Sequence, residues 1–179
     1  MSKRVGASFK LRETVEMRSP ITAKHGVKNR WQVECRDRAG NLKWSEDVDN
    51  LVVEQGINDF LTQYFKGSSY TATWFVGLKS EGSAVDGDTA SSHSWSEFTS
   101  YNGVRKTLSL GTAAGKSLPS TSAAMFSITG AGSVAGGFLQ TTNTGTGGVL
   151  YGVVDFATVR TVGPGDIINV NTALSGTSV

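Results

Sequence analysis

From Gly111 to Val179 the chain carries only four charged residues, Lys116, Asp155, Arg160 and Asp166, and its apolar side chains fall in short runs broken by Gly, Ser, Thr and Asn. Short apolar runs bounded by turn formers read as strands, and 22 Gly, 21 Ser and 19 Thr leave little material for helices. The runs at 104–110, 123–129, 133–140, 149–158 and 167–172 are therefore predicted strands. Several short strands with turns between them point to a mainly β chain, an antiparallel β-sandwich or jelly-roll-like barrel, rather than a parallel α/β sheet. At 179 residues the chain suits a single domain and can bury roughly 70% of its unfolded surface without metal or disulfide.

Upstream, Trp31, Val33 and Cys35 alternate with Gln32, Glu34 and Arg36, the period of a half-buried strand. Arg38-Ala39-Gly40-Asn41 makes a turn and 42–45 return, predicting a β-hairpin. One helix is predicted at about 51–66, where Val53, Ile57, Phe60, Leu61 and Tyr64 share a face, with Asn50 as its cap and Gly67 as its end. Gly56 in its interior costs roughly 1 kcal/mol relative to Ala, which predicts a close backbone approach there. Residues 71–79, with Trp74, Phe75, Val76 and Leu78, read as a strand buried on both faces, and 80–94 as a long loop. Residues 141–148, all Thr, Asn and Gly, read as a hairpin tip.

Residues 1–30 hold eight Lys or Arg against Glu13 and Glu16. Their apolar residues fit neither a helical stripe nor a strict strand, so 1–28 is expected to be an extended basic arm that makes no core of its own, with 29–179 as the folded domain. Phe9, Leu11 and Met17 could anchor such an arm on a neighbour, with Lys3, Arg4, Lys10, Arg12 and Arg18 as its charged contacts. The N-terminus has no apolar signal-peptide core and no stretch reaches the ~18 apolar residues of a membrane span, so synthesis in a cytosol and no membrane partner are expected.

Residues of the type that do chemistry gather only at Asp86, Asp88, His93 and Glu97. Asp86-Gly87-Asp88 has the look of a calcium loop, but the further spaced oxygens and terminal Glu are missing, which favours Asx and Ser/Thr turns and no metal. His93 lies among Ser91, Ser92, Ser94 and Ser96, yet no Gly-x-Ser-x-Gly elbow accompanies them. Cys35 alone excludes a CxxC motif and reads as a buried inert thiol. Gly130-Ala131-Gly132 and Gly136-Gly137 match no phosphate- or dinucleotide-binding pattern. Trp31 and Trp44 near Arg36, Arg38 and Lys43 could stack bases, but Glu34, Asp37, Glu46, Asp47 and Asp49 interrupt any phosphate track, so nucleic acid is an unlikely partner. No enzyme and no cofactor are expected.

The blocks Leu51-Val52-Val53, Gly56-Ile57-Asn58-Asp59-Phe60-Leu61, Trp74-Phe75-Val76-Gly77-Leu78, Asp88-Thr89 and Ser92-His93-Ser94-Trp95-Ser96-Glu97 are followed by Tyr101 and Arg105. Phe126-Ser127-Ile128, Gly137-Phe138-Leu139, Tyr151-Gly152, Phe156 and Val162-Gly163-Pro164-Gly165-Asp166 continue the pattern. Over about 50–172 this resembles small virion structural proteins of tailed bacteriophages, most of all capsid decoration or cement proteins. The resemblance implies a non-enzymatic protein that stabilises the shell of major capsid protein, sits on the capsid surface of a virion assembled in a bacterial cytoplasm, and self-associates as a dimer or trimer. Related sequences also resemble head-fibre or tail-associated components, so a tail-fibre, head-fibre or other receptor-binding module is the alternative. Within this reading Asp88, His93, Trp95, Glu97 and Arg105 order a loop, with Trp95 as apolar anchor and the others as hydrogen-bonding partners.

Overall fold

The computed structural model describes residues 26–66 and 73–177. The arm residues 1–25, the helix-ending Gly67, and Thr71 and Ala72 of the predicted 71–79 strand lie outside them. The chain is mainly β with one helix: β1 (Gly26–Arg36), β2 (Leu42–Val52), α1 (Glu54–Lys66), β3 (Phe75–Glu81), β4 (Ser96–Phe98), β5 (Lys106–Thr107), β6 (Ser117–Pro119), β7 (Ala124–Ser127), β8 (Gly132–Gln140), β9 (Leu150–Val162) and β10 (Ile167–Thr177).

All the strands join one antiparallel ladder in the order β4-β3-β8-β9-β2-β1-β10-β6, with β5 added to β3 and β7 to β10. The ladder has two halves, β4-β3-β8-β9 and β2-β1-β10-β6. Their link is narrow: Leu51 and Val52, at the end of β2, pair with Val153 and Gly152 of β9. The halves fold over one another. A Cβ on Gly137 of β8 would lie 2.6 Å from the Trp31 ring, so the indole of β1 lies against the backbone of the opposite half. Between them sits a sandwich-like core with Trp31, Val33, Cys35, Phe126 and Ile168 on one side and Val76, Leu78, Leu139 and Val154 on the other.

β8 and the first five residues of β9 are covered on both faces, which is why they read as continuous apolar runs rather than alternating ones. Their second face carries Phe138, Leu150 and Val153 under Val53, Ala90 and Trp95. The β1–β2 hairpin forms as the alternation predicts. Its turn is held by Asp37, whose carboxylate accepts from the amides of Ala39 and Asn41 and from the Asn41 side chain.

Several boundaries differ from the sequence reading: the predicted 104–110 strand is only Lys106–Thr107, and β2, β9 and β10 run on to Val52, Val162 and Thr177. Gly26, Val27 and Lys28, assigned to the arm, pair with Thr177, Gly176 and Ser175 and so begin β1. The helix starts at Glu54, not near 51, because the pairing of Leu51 and Val52 with β9 extends β2; Asn50, expected as the cap, is a strand residue. β4 and β6 are three-residue strands without an apolar run to mark them.

Candidate interaction surface

Among the described residues, the contacts that fasten α1 to the domain gather at its first turn. Val53 is buried, Gln55 Oε1 accepts from the amides of Ala90 (3.1 Å) and Leu150 (2.9 Å), and Gly56 lies against the Tyr151 backbone, as its presence in a helix interior suggests. A Cβ at Gly56 would come within 2.3 Å of the Tyr151 carbonyl oxygen. Beyond Ile57 the helix overhangs, and the face expected to be buried turns outward. Phe60 and Leu61 are exposed, while Tyr64 and Phe65 keep 74% and 73% of their surface accessible. The three rings form a ridge: Phe60 stacks on Tyr64 with centroids 6.0 Å apart, and Tyr64 meets Phe65 edge-on at 5.0 Å.

Under this ridge runs an apolar groove of about 530 Å³, lined among others by Val27, Phe60, Tyr64, Trp74, Leu118 and Tyr151. Trp74 and Tyr151 pack edge to face at 5.5 Å in its wall. Register places a polar cluster beside it. Asn29 is two residues along the same face of β1 from Val27 and opposite Leu174, which both line the groove; Asn50 is opposite Asn29, and Thr172 is opposite Trp31. Asn29, Asn50 and Thr172 are buried, and their side chains, like Trp31 Nε1, have no hydrogen-bond partner among the described residues. Buried polar groups left unmatched cost about 1–3 kcal/mol each, so native chains match nearly all of them.

The block from Asp88 to Arg105 does come together, with Ala90 bonded to Gln55 at the helix start. Asp88 is buried and one carboxylate oxygen accepts from the Val85 amide and from Trp95 Nε1, both at 3.0 Å. The Trp95 indole is layered between the His93 imidazole at 3.6 Å and the Phe138 ring at 4.9 Å. His93 Nδ1 lies 2.9 Å from the Trp95 carbonyl, which can only accept, so that nitrogen carries the hydrogen. Thr89 Oγ1 accepts from the Ser92 amide, closing a Ser/Thr turn. Glu97 and Arg105 form a two-pronged ion pair at 2.9 and 2.7 Å, and Arg105 also donates to the Thr142 carbonyl and covers the Phe138 ring. These contacts are all internal to the domain.

Three further ion pairs strap strands. Lys79, fully buried on β3, reaches Asp155 of β9 and the Gly82 carbonyl. Arg160 pairs with Glu46 at 3.0 Å, and Lys43 with Asp166 at 2.5 Å, which raises the Lys43 pKa. Burial pushes the Cys35 thiol up to about 11, with Asp166 nearby adding to the effect. Burial also raises the Tyr101 phenol. Among the described residues no three His, Cys, Asp or Glu side chains are grouped as metal ligands would be, and no helix is long and apolar enough to cross a membrane.

Lys3, Arg4, Phe9, Lys10, Leu11, Arg12, Met17 and Arg18 lie outside the described residues. The sequence reading missed the outward ridge and the Asn29–Asn50–Thr172 cluster. Phe65 carried a usable signal: four residues beyond Leu61, it widens the stripe of Val53, Ile57, Phe60, Leu61 and Tyr64, giving α1 more apolar surface than one contact face requires. No protein-family model matches the chain, and no curated protein matches its sequence.

Proposed function

We propose that the protein is a non-enzymatic structural component of a phage virion, a decoration or cement protein that binds the major capsid protein at the capsid surface and associates with copies of itself. The observation that carries this reading is the ridge of Phe60, Leu61, Tyr64 and Phe65, large apolar side chains exposed on a helix that is anchored at its first turn. Contiguous exposed apolar surface of this kind marks an interaction site, and aromatic residues are enriched where protein interfaces concentrate their energy. A sparsely charged domain whose buried ionisable groups strap its own strands supports an assembly role over catalysis. Repetition on a symmetric shell multiplies weak contacts into high avidity. Arm residues Lys3, Arg4, Phe9, Lys10, Leu11, Arg12, Met17 and Arg18 are a second attachment in this reading.

Sedimentation with shells assembled from the cognate major capsid protein tests it. The parent should co-sediment, Tyr64→Glu/Phe65→Glu should lose most of the binding while keeping its circular dichroism spectrum, and a chain lacking residues 1–25 should bind poorly. A parent that stays in the supernatant refutes the capsid assignment. Decoration by both variants at the parent's level refutes the surfaces named.

A further inference from the structure

We infer that the aromatic ridge of α1 is a two-fold contact between copies of this chain, in which α1 packs antiparallel against α1 of a second copy. This rests on the self-association in the proposal above and gives it a face and a symmetry; it does not rest on the capsid.

The ridge reads alike in both directions. Residues 60–65 are Phe-Leu-Thr-Gln-Tyr-Phe: two large apolar side chains, two uncharged polar ones, then two large aromatic ones. Spacings of one, four and five residues put Phe60, Leu61, Tyr64 and Phe65 on one broad face of the helix, with Thr62 and Gln63 off it. A two-fold axis passing between Thr62 and Gln63 sets Phe60 opposite Phe65 and Leu61 opposite Tyr64, so each ridge residue meets another large apolar one. A two-fold contact demands such self-complementarity, because the same patch serves both sides; a partner of different sequence does not. Charge permits the pairing as well. No Asp, Glu, Lys or Arg lies between Asp59 and Lys66, and an antiparallel arrangement keeps the two Asp59 positions about 10 Å apart along the helices, where a parallel one would set them side by side.

The patch is also large enough. Phe60 and Leu61 keep 42% and 45% of their surface accessible, beside the roughly three-quarters kept by Tyr64 and Phe65. With side chains of this kind burying roughly 150–250 Å² each, the ridge offers about 350–600 Å² per copy and a symmetric pair about 700–1,200 Å². The groove walls bordering Phe60 and Tyr64 add apolar area of the same kind. A specific interface needs about 1,000 Å², so this one falls at the small end of stable dimers, and dissociation in the micromolar range is expected. The contacts of Gln55 and Gly56 with the domain sit a turn or more before the ridge, so pairing disturbs neither. A dimer also grips a shell at two points, and a ridge variant reduced to a monomer loses that avidity, which accounts for its expected loss of co-sedimentation.

Two measurements on the full-length protein, made without capsids, decide the matter. In the first, sedimentation velocity across the micromolar range should carry the parent from 18.9 kDa to twice that mass. Phe65→Glu should stay at the monomer mass, and Val159→Glu, at an exposed residue of β9, should dimerise like the parent. A parent that stays monomeric or forms a trimer, or a Phe65→Glu chain that dimerises like the parent, overturns the inference. In the second, a single cysteine is placed on α1; the native Cys35 is buried and its thiol pKa is raised, so it does not compete. Antiparallel pairing about the stated axis leaves the two Leu61 positions about 4–5 Å apart along the helices and the two positions of the exposed Glu54 about 25 Å apart. Under mild oxidation Leu61→Cys should therefore form a disulfide between chains at least about tenfold faster than Glu54→Cys, read by non-reducing electrophoresis. Equal rates overturn the inference even where dimers form. A monomer that still co-sediments with shells sinks this contact and leaves the capsid reading standing, and a dimer that stays in the supernatant does the reverse.

Discussion

Replacing Gly56 with Ala pits two well-understood effects against each other inside α1. In an isolated helix the change is favourable by about 1 kcal/mol, because Ala loses less backbone freedom on folding than Gly. Here the new methyl would lie 2.3 Å from the Tyr151 carbonyl oxygen, 2.8 Å from its Cα and 2.9 Å from its carbonyl carbon, where ordinary contact begins near 3.4 Å. Relief requires about 1 Å of separation between helix and strand. The strand is poorly placed to supply it: the Tyr151 carbonyl accepts from the Val53 amide at 3.2 Å, and the Tyr151 ring is packed on Trp74. If the helix lifts instead, the Gln55 bonds to Ala90 and Leu150 stretch and Val53 loses its close packing. Overfilling a packed contact costs about 1–3 kcal/mol, and disturbance of the Gln55 bonds adds to that, so the clash outweighs the propensity gain. The net expectation is a loss of about 1–2 kcal/mol, a fall in Tm of roughly 2–8 °C for a chain of this length, measured by thermal and urea unfolding. Asn58→Ala, on the exposed side of the same helix, is the control and should be neutral or slightly stabilising. A Gly56→Ala protein as stable as the parent, or more stable, would show that α1 does not rest on β9 through this contact.

Lys79 and Asp155 should respond unequally to loss of their partner. Asp155→Ala leaves an ammonium at 0% exposure and should cost about 3–5 kcal/mol, whereas Lys79→Met leaves a carboxylate that is 41% exposed and can hydrate, so urea unfolding should show a much smaller loss. Glu97→Ala strands the buried Arg105 guanidinium and should cost a similar 3–5 kcal/mol, of which adding Arg105→Met should restore a large part in a double-mutant cycle. Cys35 should resist a thiol reagent at pH 8 until the protein unfolds. Because its folded pKa is raised from 9.0 to about 11, its contribution to stability is complete below pH 9 and is lost as pH climbs toward 11, which denaturation midpoints across that range would reveal.

The parts of this fold legible in the sequence are those set by local pattern. Trp31, Val33 and Cys35 announce β1 because one face of that strand is buried and the other is wet, and the runs behind β8 and the start of β9 announce strand segments covered on both sides. Local pattern could not say where β2 ends. Leu51 and Val52 fit a helical start equally well, and only their pairing with Val153 and Gly152, a hundred residues away, decides it. The same limit applies to the candidate site. The Asp88–Arg105 block was recognisable as a cluster because its members are neighbours in sequence. The groove draws Val27, Tyr64, Leu118, Tyr151 and Leu174 from five separate elements and connections, and no short window contains it. The outward turn of Phe60 to Phe65 follows from where the helix is fastened, a matter of Gln55 and Gly56 meeting a strand that comes much later in the chain.

β1 sits between β2 and β10, and the second of these neighbours pairs Arg36 with Ile167, about 130 residues downstream. On a ribosome adding roughly 5–20 residues per second, β1 therefore waits on the order of 6–26 s with a long unpaired edge before β10 emerges. Until then the hairpin offers its open backbone to any other nascent copy. The alternating charges Lys28, Arg30, Glu34 and Arg36 along that strand are the kind of gatekeeper that keeps such an edge from pairing with its own image. High expression on crowded polysomes should thus tax this protein more through the timing of its last strand than through any weakness of the finished fold.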